Sequence, residues 1–188
     1  MKDLRFQKTE NAIRKSFFKL LKEKKVSEIT VTQLCSDAVL GRGTFYLHYK
    51  DIYDLLEQIE NEYLMQIKQF YIDAFPTTKR ENSEELIDKI LDYISDNLEE
   101  MSILAENIST QDFLSKLTKT QRDCYINEPV PEMNNPEFDP KYDSVEASFV
   151  VSGFIGVLMD WIRGTLCLPK EEISNYLKSI LSRFYYEQ

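Results

Sequence analysis

The sequence predicts an all-α chain, and three observations carry that expectation. Glycine and proline are scarce, five and six in 188 residues, and four of the prolines fall within 127–143. Long segments therefore run without a breaker. Within them, apolar residues recur at three- and four-residue spacing instead of alternating, which is the helical period and not the strand period. Helix-start residues also stand at the head of several segments.

The first segment runs from about Lys8 to Lys25. Ile13, Phe17, Leu20 and Leu21 make one face, Lys15, Lys19 and Lys22 the other, and Thr9 is its expected N-cap. The second runs from Val31 to Ala38. Thr30 and Gln33 form a T-x-x-Q capping box that fixes its start, and Val31, Leu34, Cys35 and Ala38 form its inner face. Val39-Leu40-Gly41 joins it to a third short helix, Arg42 to Tyr49. Asp51 and Asp54 suit the positive end of a fourth helix. Its stripe of Ile52, Leu55, Leu56, Ile59, Tyr63, Ile67, Phe70, Tyr71 and Ala74 reaches Phe75, and Pro76 ends it. A helix of that span is about 35 Å long at 1.5 Å per residue, enough to bridge two domains.

Ser83 to Met101 reads as one amphipathic helix with Leu86, Ile87, Ile90, Leu91, Ile94 and Leu98 inside. A short helix is expected over 103–108 and another over 110–125, anchored by Phe113, Leu114 and Leu117. Residues 127–143 read as a long loop, of a length that is usually functional or mobile, or else serves only as a connector. The last two helices are Ser144 to Arg163, apolar almost all round, and Lys170 to Tyr185. An all-round apolar helix needs cover on several sides.

Charge divides the chain. Residues 1–50 hold 11 Lys+Arg against 5 Asp+Glu, and the remainder holds 12 against 27. A basic head on an acidic body suits a nucleic-acid partner for the head. Cys35, Cys124 and Cys167 are far apart and His48 is the one histidine, so no metal framework is present and the pattern is that of a reduced, cytosolic protein. The first residues lack the apolar stretch of a signal peptide. The longest apolar-leaning run, Ala147 to Met159, is 13 residues and too short to span a bilayer. No membrane and no cofactor are expected.

Helix, capped helix, tight turn, helix and a further helix start within about 50 residues make a helix-turn-helix unit. The fold expected is therefore an N-terminal three-helix DNA-binding domain, residues 1–51, and a C-terminal helical regulatory and dimerisation domain, residues 52–188. In such a head the third helix enters the major groove. Arg42 can make a bidentate contact with a guanine edge, and Leu47 can pack on a thymine methyl. Gly41 and Gly43 allow backbone to approach a phosphate, and Thr44, Tyr46, His48 and Lys50 supply phosphate donors. Thr32 of the second helix completes the candidate DNA-binding set, while Phe45 and Tyr49 face inward as braces.

The run Gly41-Arg42-Gly43-Thr44-Phe45-Tyr46-Leu47-His48-Tyr49-Lys50-Asp51 resembles the recognition-helix signature of the TetR family of transcriptional regulators. Ile29-Thr30-Val31 with Leu34, and Ala12-Ile13 with Phe17, Leu20 and Leu21, extend the resemblance over about residues 8–60. The segment Phe113 to Leu117 and the G-x-x-G and Trp of Gly153 to Trp161 are similar to a subgroup from low-GC Gram-positive bacteria that includes regulators of dihydroxyacetone metabolism. The resemblance implies an all-helical homodimer on a double-stranded DNA operator, with half-sites about one helical turn apart or more. It also implies a small-molecule effector that alters the spacing of the heads, and a repressor in the more usual case. Three positions depart from the family pattern: Val39 stands where glycine is usual, Gly41 where Ser or Glu is common, and Ile52 where a phosphate-contacting Lys is frequent. A left-handed conformation at Val39 would be strained, the glycine requirement would have moved to Gly41, and the phosphate contact would fall to Lys50.

In the body, Tyr63, Ile67, Phe70, Tyr71, Tyr93, Phe113, Phe154 and Trp161 are candidate walls of a ligand pocket, though aromatic stripes at helical spacing equally build a bundle core. Ser152, Gly153 and Gly156 let another helix approach closely. With Ile173, Tyr176, Leu177 and Ile180 of the last helix they make the candidate dimer interface, as an intermolecular four-helix bundle. Two other function classes are weighed. An adaptor or coactivator would use the same fold through a protein partner, via the long loop and acidic body. An enzyme would need a nucleophile–base pair, a phosphate loop or metal spacing, and the sequence carries none of these.

Overall fold

In the computed structural model, which describes residues 4–74, 83–107, 115–116, 118–119 and 140–186, every regular element among the described residues is helical. α1 spans Leu4–Leu21, a 3₁₀ turn spans Val26–Glu28, and α2 spans Val31–Asp37. α3 spans Arg42–Tyr46, α4 Ile52–Ala74, α5 Ser83–Asp96 and α6 Leu98–Asn107. α7 spans Pro140–Ile162 and α8 Lys170–Tyr186. α1, α2 and α3 form the expected helix-turn-helix head, and the remaining helices form a bundle behind it.

Several boundaries differ from the sequence reading for identifiable reasons. α1 begins at Leu4, and Thr9 is not its cap but an interior residue whose hydroxyl donates to the Arg5 carbonyl at 2.9 Å. The segment read as one helix from Ser83 to Met101 is two. At the break, the Asn97 side chain donates to the Tyr93 carbonyl at 2.8 Å, one turn back, and its backbone N–H bonds Ile94 O at 3.1 Å in a tightened turn. An Asn side chain competes with the backbone for partners in this way and favours a helix end. The short helix expected from residue 103 is the second half of α6. α7 takes in the end of the expected 127–143 loop, starting at Pro140, where a missing N–H costs nothing. The expected 110–125 helix and the rest of that loop lie almost wholly outside the described residues, as do Phe113 and Cys124.

One continuous core runs through head and body. Ile13, Phe17, Leu34, Phe45, Leu55, Tyr63, Leu91 and Ile173 belong to the same buried cluster, so apolar packing passes from the turn of the head to the last helix without a gap. A second cluster, Leu64 and Ile67 of α4 with Val151, Ile155 and Met159 of α7, joins those two helices. α7 is less covered than an all-round apolar helix should be: Val145 is 70% and Phe149 67% exposed.

Polar ties cross this core at its edges. Arg14 of α1 donates through Nε to Glu100 of α6 at 2.8 Å, through Nη2 to the Tyr63 hydroxyl of α4 at 2.9 Å, and through Nη1 to Glu62 at 2.5 Å. The Tyr63 hydroxyl donates in turn to Glu100 at 2.8 Å. Burial works against the Arg14 charge, but Glu100, Tyr63 and Glu62 together hold its pKa above the ordinary guanidinium value. Lys22 pairs with Glu99, and the Asn107 side chain donates to Leu21 O at 3.0 Å, so α6 is tied to α1 at three points. On the other side of the bundle, Ser174 and Lys178 of α8 both donate to Asp88 of α5 at 2.6 Å, and Lys170 pairs with Asp92 at 2.6 Å. Burial opposes the Asp88 charge, yet Lys178 and Ser174 hold its carboxyl below the usual range.

Hydrogen bonds to charged groups contribute about 1.5–3 kcal/mol each, and exposed pairs such as Arg14–Glu62 much less. Arg14→Ala leaves Glu100 and the Tyr63 hydroxyl without their shared donor. It is expected to destabilise the fold by about 2–3 kcal/mol in urea denaturation. An unchanged midpoint would show that the knot is solvated decoration.

Candidate nucleic-acid interface

The head is built from its caps. Thr30 Oγ1 accepts from Gln33 N at 3.2 Å, and Gln33 Oε1 accepts from Thr30 N at 3.2 Å, so the capping box read from the sequence is formed. α2 is held to α1 through Asp37, which accepts from the Ser16 hydroxyl at 2.8 Å and pairs with Lys19. Those partners, Lys19 first and then Ser16, keep the Asp37 carboxyl below its usual range.

The turn between α2 and α3 then has to be tight. Ala38 N bonds Leu34 O at 2.9 Å and Leu40 N bonds Cys35 O at 2.9 Å, which closes the end of α2. That closure demands a left-handed residue between them, and Val39 supplies it at φ 56°, the one non-glycine residue with positive φ among those described. Its side chain is 89% exposed, so no packing offsets the strain. Gly41, by contrast, is in ordinary extended backbone at φ −73° and caps α3 through its carbonyl alone. The glycine requirement has therefore not moved along the turn, and the strain stays at Val39.

α3 is only five residues long; Leu47 and His48 continue as a turn, with His48 N and Tyr49 N both bonding Phe45 O. Phe45 is fully buried and Tyr49 nearly so, in the bracing places expected of them. Burial, with Glu10 and Glu62 nearby, pushes the Tyr49 hydroxyl up to about 12. Burial also pushes the Cys35 thiol up, partly offset by Arg42. The outer edge of the head carries Arg42, Gly43, Tyr46, Leu47 and Lys50, all exposed, with Leu47 at 78%. Thr32 of α2 is exposed and Thr44 half-buried.

His48 departs from the expected phosphate-facing set. Its side chain is 4% exposed, its ring lies 3.9 Å from that of Phe6, and its buried Nδ1 has no hydrogen-bond partner, with Glu10 Oε1 4.0 Å away. The early start of α1 brings Phe6 over this ring and turns it inward. At the start of α4, Ile52 is core. Asp51 accepts from Asp54 N at 2.9 Å and Asp54 from Lys50 N at 2.8 Å, so two carboxylates occupy donors that a phosphate would use. The Lys50 side chain is the exposed basic group left there.

The other expected sites separate. Tyr63 (2% exposed), Phe70 and Tyr93 are together, with Tyr93 edge-on to both rings, while Ile67 faces α7. Trp161 packs on the main core and donates to Leu168 O at 3.0 Å. Of the expected interface, Ile173 and Leu177 are core residues packed toward α5, which corrects their assignment to an outer face; a stripe at helical spacing does not say which neighbour covers it. Ser152, Gly153, Gly156, Tyr176 and Ile180 are exposed. Sequence reasoning missed Arg14 altogether, although an arginine one residue after Ile13 in a segment otherwise carrying lysines was a visible signal. Among the described residues no group of His, Cys, Asp and Glu could hold a metal, and no helix is long and apolar enough to cross a membrane.

Residues 81–183 match the family model described as a transcriptional regulator C-terminal region of the TetR type, more than half of the chain. The chain belongs to the TetR family of transcriptional regulators. No curated protein matches it. A TetR transcriptional regulator from Streptococcus agalactiae superposes with a TM-score of 0.61 at 23% identity, over 95% of this chain and 96% of its own. NalD, the secondary repressor of the MexAB-OprM multidrug efflux pump in Pseudomonas aeruginosa, does so at 0.67 and 16%, over 95% and 96%. The dihydroxyacetone kinase operon activator DhaS gives 0.65 and 13%, over 92% and 93%. At these identities the shared property is the TetR fold, and the dihydroxyacetone subgroup is not singled out by it.

Left-handed backbone costs a residue with a Cβ about 1–2 kcal/mol. Val39→Gly removes that strain at some cost in chain entropy and is expected to stabilise the protein by about 1 kcal/mol. Calorimetry should then show a rise in Tm of about 2–4 °C. A fall would mean that the exposed isopropyl group contributes stability of its own.

Proposed function

We propose that this TetR-family regulator is a homodimer that binds an operator through α3 and acts as a repressor released by a small effector held in its body. Residues 1–51 are the DNA-binding head, and residues 52–188 the effector-binding and dimerising body. The observation that carries the reading is the two-sided character of the α3 region. Phe45 and Tyr49 are buried, while Arg42, Tyr46, Leu47 and Lys50 stand outward on the basic end of an otherwise acidic chain. Phosphate affinity is needed only there. Arg42 and Leu47 offer a guanine edge and a thymine methyl their partners. Kinship with regulators of dihydroxyacetone metabolism belongs to the same reading, on the Gly153 to Trp161 pattern.

Dimerisation is supported by two glycines that no packing among the described residues requires. A Cβ added at Gly153 or Gly156 would meet nothing within 4 Å. Glycine inside a helix costs about 0.5–1 kcal/mol relative to alanine, and no close approach among the described residues offsets it. Val145, Tyr176 and Ile180 are exposed on the same two helices, α7 and α8. A second copy laid across these glycines gives both the small residues and the apolar ones a purpose.

Two measurements test the reading. In gel shifts on DNA fragments recovered by genome-wide occupancy mapping, Arg42→Ala should weaken binding about 10- to 100-fold, as for a lost bidentate base contact. Equal affinity would remove Arg42 from the reading face, and co-purification with a protein in the absence of any occupied DNA would favour an adaptor. Gly156→Leu, at a position where an added Cβ meets nothing within 4 Å among the described residues, should leave the thermal transition of the fold intact. In sedimentation it should raise the dimer dissociation constant about tenfold or more; an unchanged dimer would place the interface elsewhere.

A further inference from the structure

Tyr46 was expected among the phosphate donors, but its hydroxyl oxygen already accepts a bond within the helix, from Arg42. Arg42, the first residue of α3, and Tyr46, the last, are four apart and so lie on one helix face. The Arg42 Nη2 donates to the Tyr46 hydroxyl at 3.4 Å, and its guanidinium carbon lies 6.0 Å from the centre of the Tyr46 ring. The Tyr46 ring is itself fixed, packed edge-on to Phe45 at 5.6 Å and 83°. Phe45 is fully buried. A chain of support thus runs from the core through Phe45 and Tyr46 to Arg42 on the outer edge of the head.

We infer that Tyr46 is a positioning residue for Arg42, pre-ordering the guanidinium for a guanine edge instead of gripping a phosphate; this rests on the DNA-binding reading above. A guanidinium has five donors in a rigid fork, so one spent on Tyr46 leaves enough for a two-point contact. A long, flexible arginine loses rotamer freedom when it binds, and a fork held in advance loses less. Both groups are exposed, and the bond is long. The aromatic face beneath the guanidinium adds a second restraint at the outer limit of cation–π range. The Tyr46 hydroxyl also stabilises the charged guanidinium, holding the Arg42 pKa above its ordinary value. Lys50 is then the charged side chain left for phosphate at this end of the head.

The test is a double-mutant cycle on the full-length protein, with a duplex that the wild type selects from a random-sequence pool. Tyr46→Phe should weaken binding about threefold and Tyr46→Ala about tenfold, and each should cost less than about twofold in an Arg42→Ala background. The loss should also fall on duplexes carrying guanine at the selected position and spare those in which that base is replaced. A phosphate grip by Tyr46 predicts the opposite: the same loss with and without Arg42 and at every sequence, which would overturn the inference while leaving DNA binding intact. A DNA-free readout separates the two further. The order parameter of the Arg42 side-chain Nε–H in the unbound protein should fall in Tyr46→Phe, and an unchanged value would also overturn it. If the pool yields no enriched duplex, the DNA-binding reading fails and this inference falls with it.

Discussion

The Arg14 knot is the interaction on which the geometry of this molecule turns. Apolar packing attaches the head to the body, but it is non-directional and would tolerate several relative tilts of α1, α4 and α6. A guanidinium does not. Its fork requires fixed angles, and here it meets Glu100, Tyr63 and Glu62 from two helices at once. Tyr63 closes the ring by donating to the same Glu100 oxygen that Arg14 uses. The guanidinium also lies over the Phe18 and Tyr63 rings at 5.5 and 5.4 Å. One charged side chain therefore sets the register of three helices, and the Lys22 and Asn107 ties add two further polar links to α6.

The break at Asn97 gives that knot its meaning. Unbroken, a helix from 83 to 107 would be a straight rod with one axis. Broken, its two halves serve different neighbours. α5 is clamped to α8 by Asp88 and Asp92, while α6 is clamped to α1 by Glu99, Glu100 and Asn107. The Ser102 hydroxyl adds a bond to Ile162 O at 2.8 Å, which fixes α6 to the end of α7. The end of α7 and the first helix of the head are thus joined through α6 by directional bonds.

Much of this was legible in the sequence, and the pattern of what was not is physical. The helices around Phe17, Leu34 and Tyr63 were readable because amphipathic spacing reports burial directly. The capping box at Thr30 and Gln33 was readable because it needs only residues three apart. The strain at Val39 followed from the resemblance, whose pattern carries glycine where Val39 stands, and the structure places that residue at φ 56°. Long-range polar contacts left no such trace: Arg14 and Glu100 are 86 residues apart, and nothing in either neighbourhood names the other. Ile173 and Leu177 were legible as apolar but not as inward, because periodicity gives a face without giving its neighbour. His48 suits DNA by its position, but the four residues of α1 before Lys8, which carry Phe6 over its ring, fall outside the helix that the spacing predicts. The Asn97 break was overlooked because a single Asn inside a strong apolar stripe is outweighed in any pattern.

The continuity of the core from Phe45 to Ile173 has a further consequence. A head on a loose tether would search its target freely and report little about the body behind it. Here the head is seated on the end of a 23-residue helix with no gap in the packing. That helix is a lever about 35 Å long at 1.5 Å per residue, and a tilt of about 5° moves its far end by about 3 Å, close to the spacing of consecutive bases at about 3.4 Å. On the proposed DNA-binding reading, a change in the body too small to disturb any single contact is therefore large on the scale of a base step.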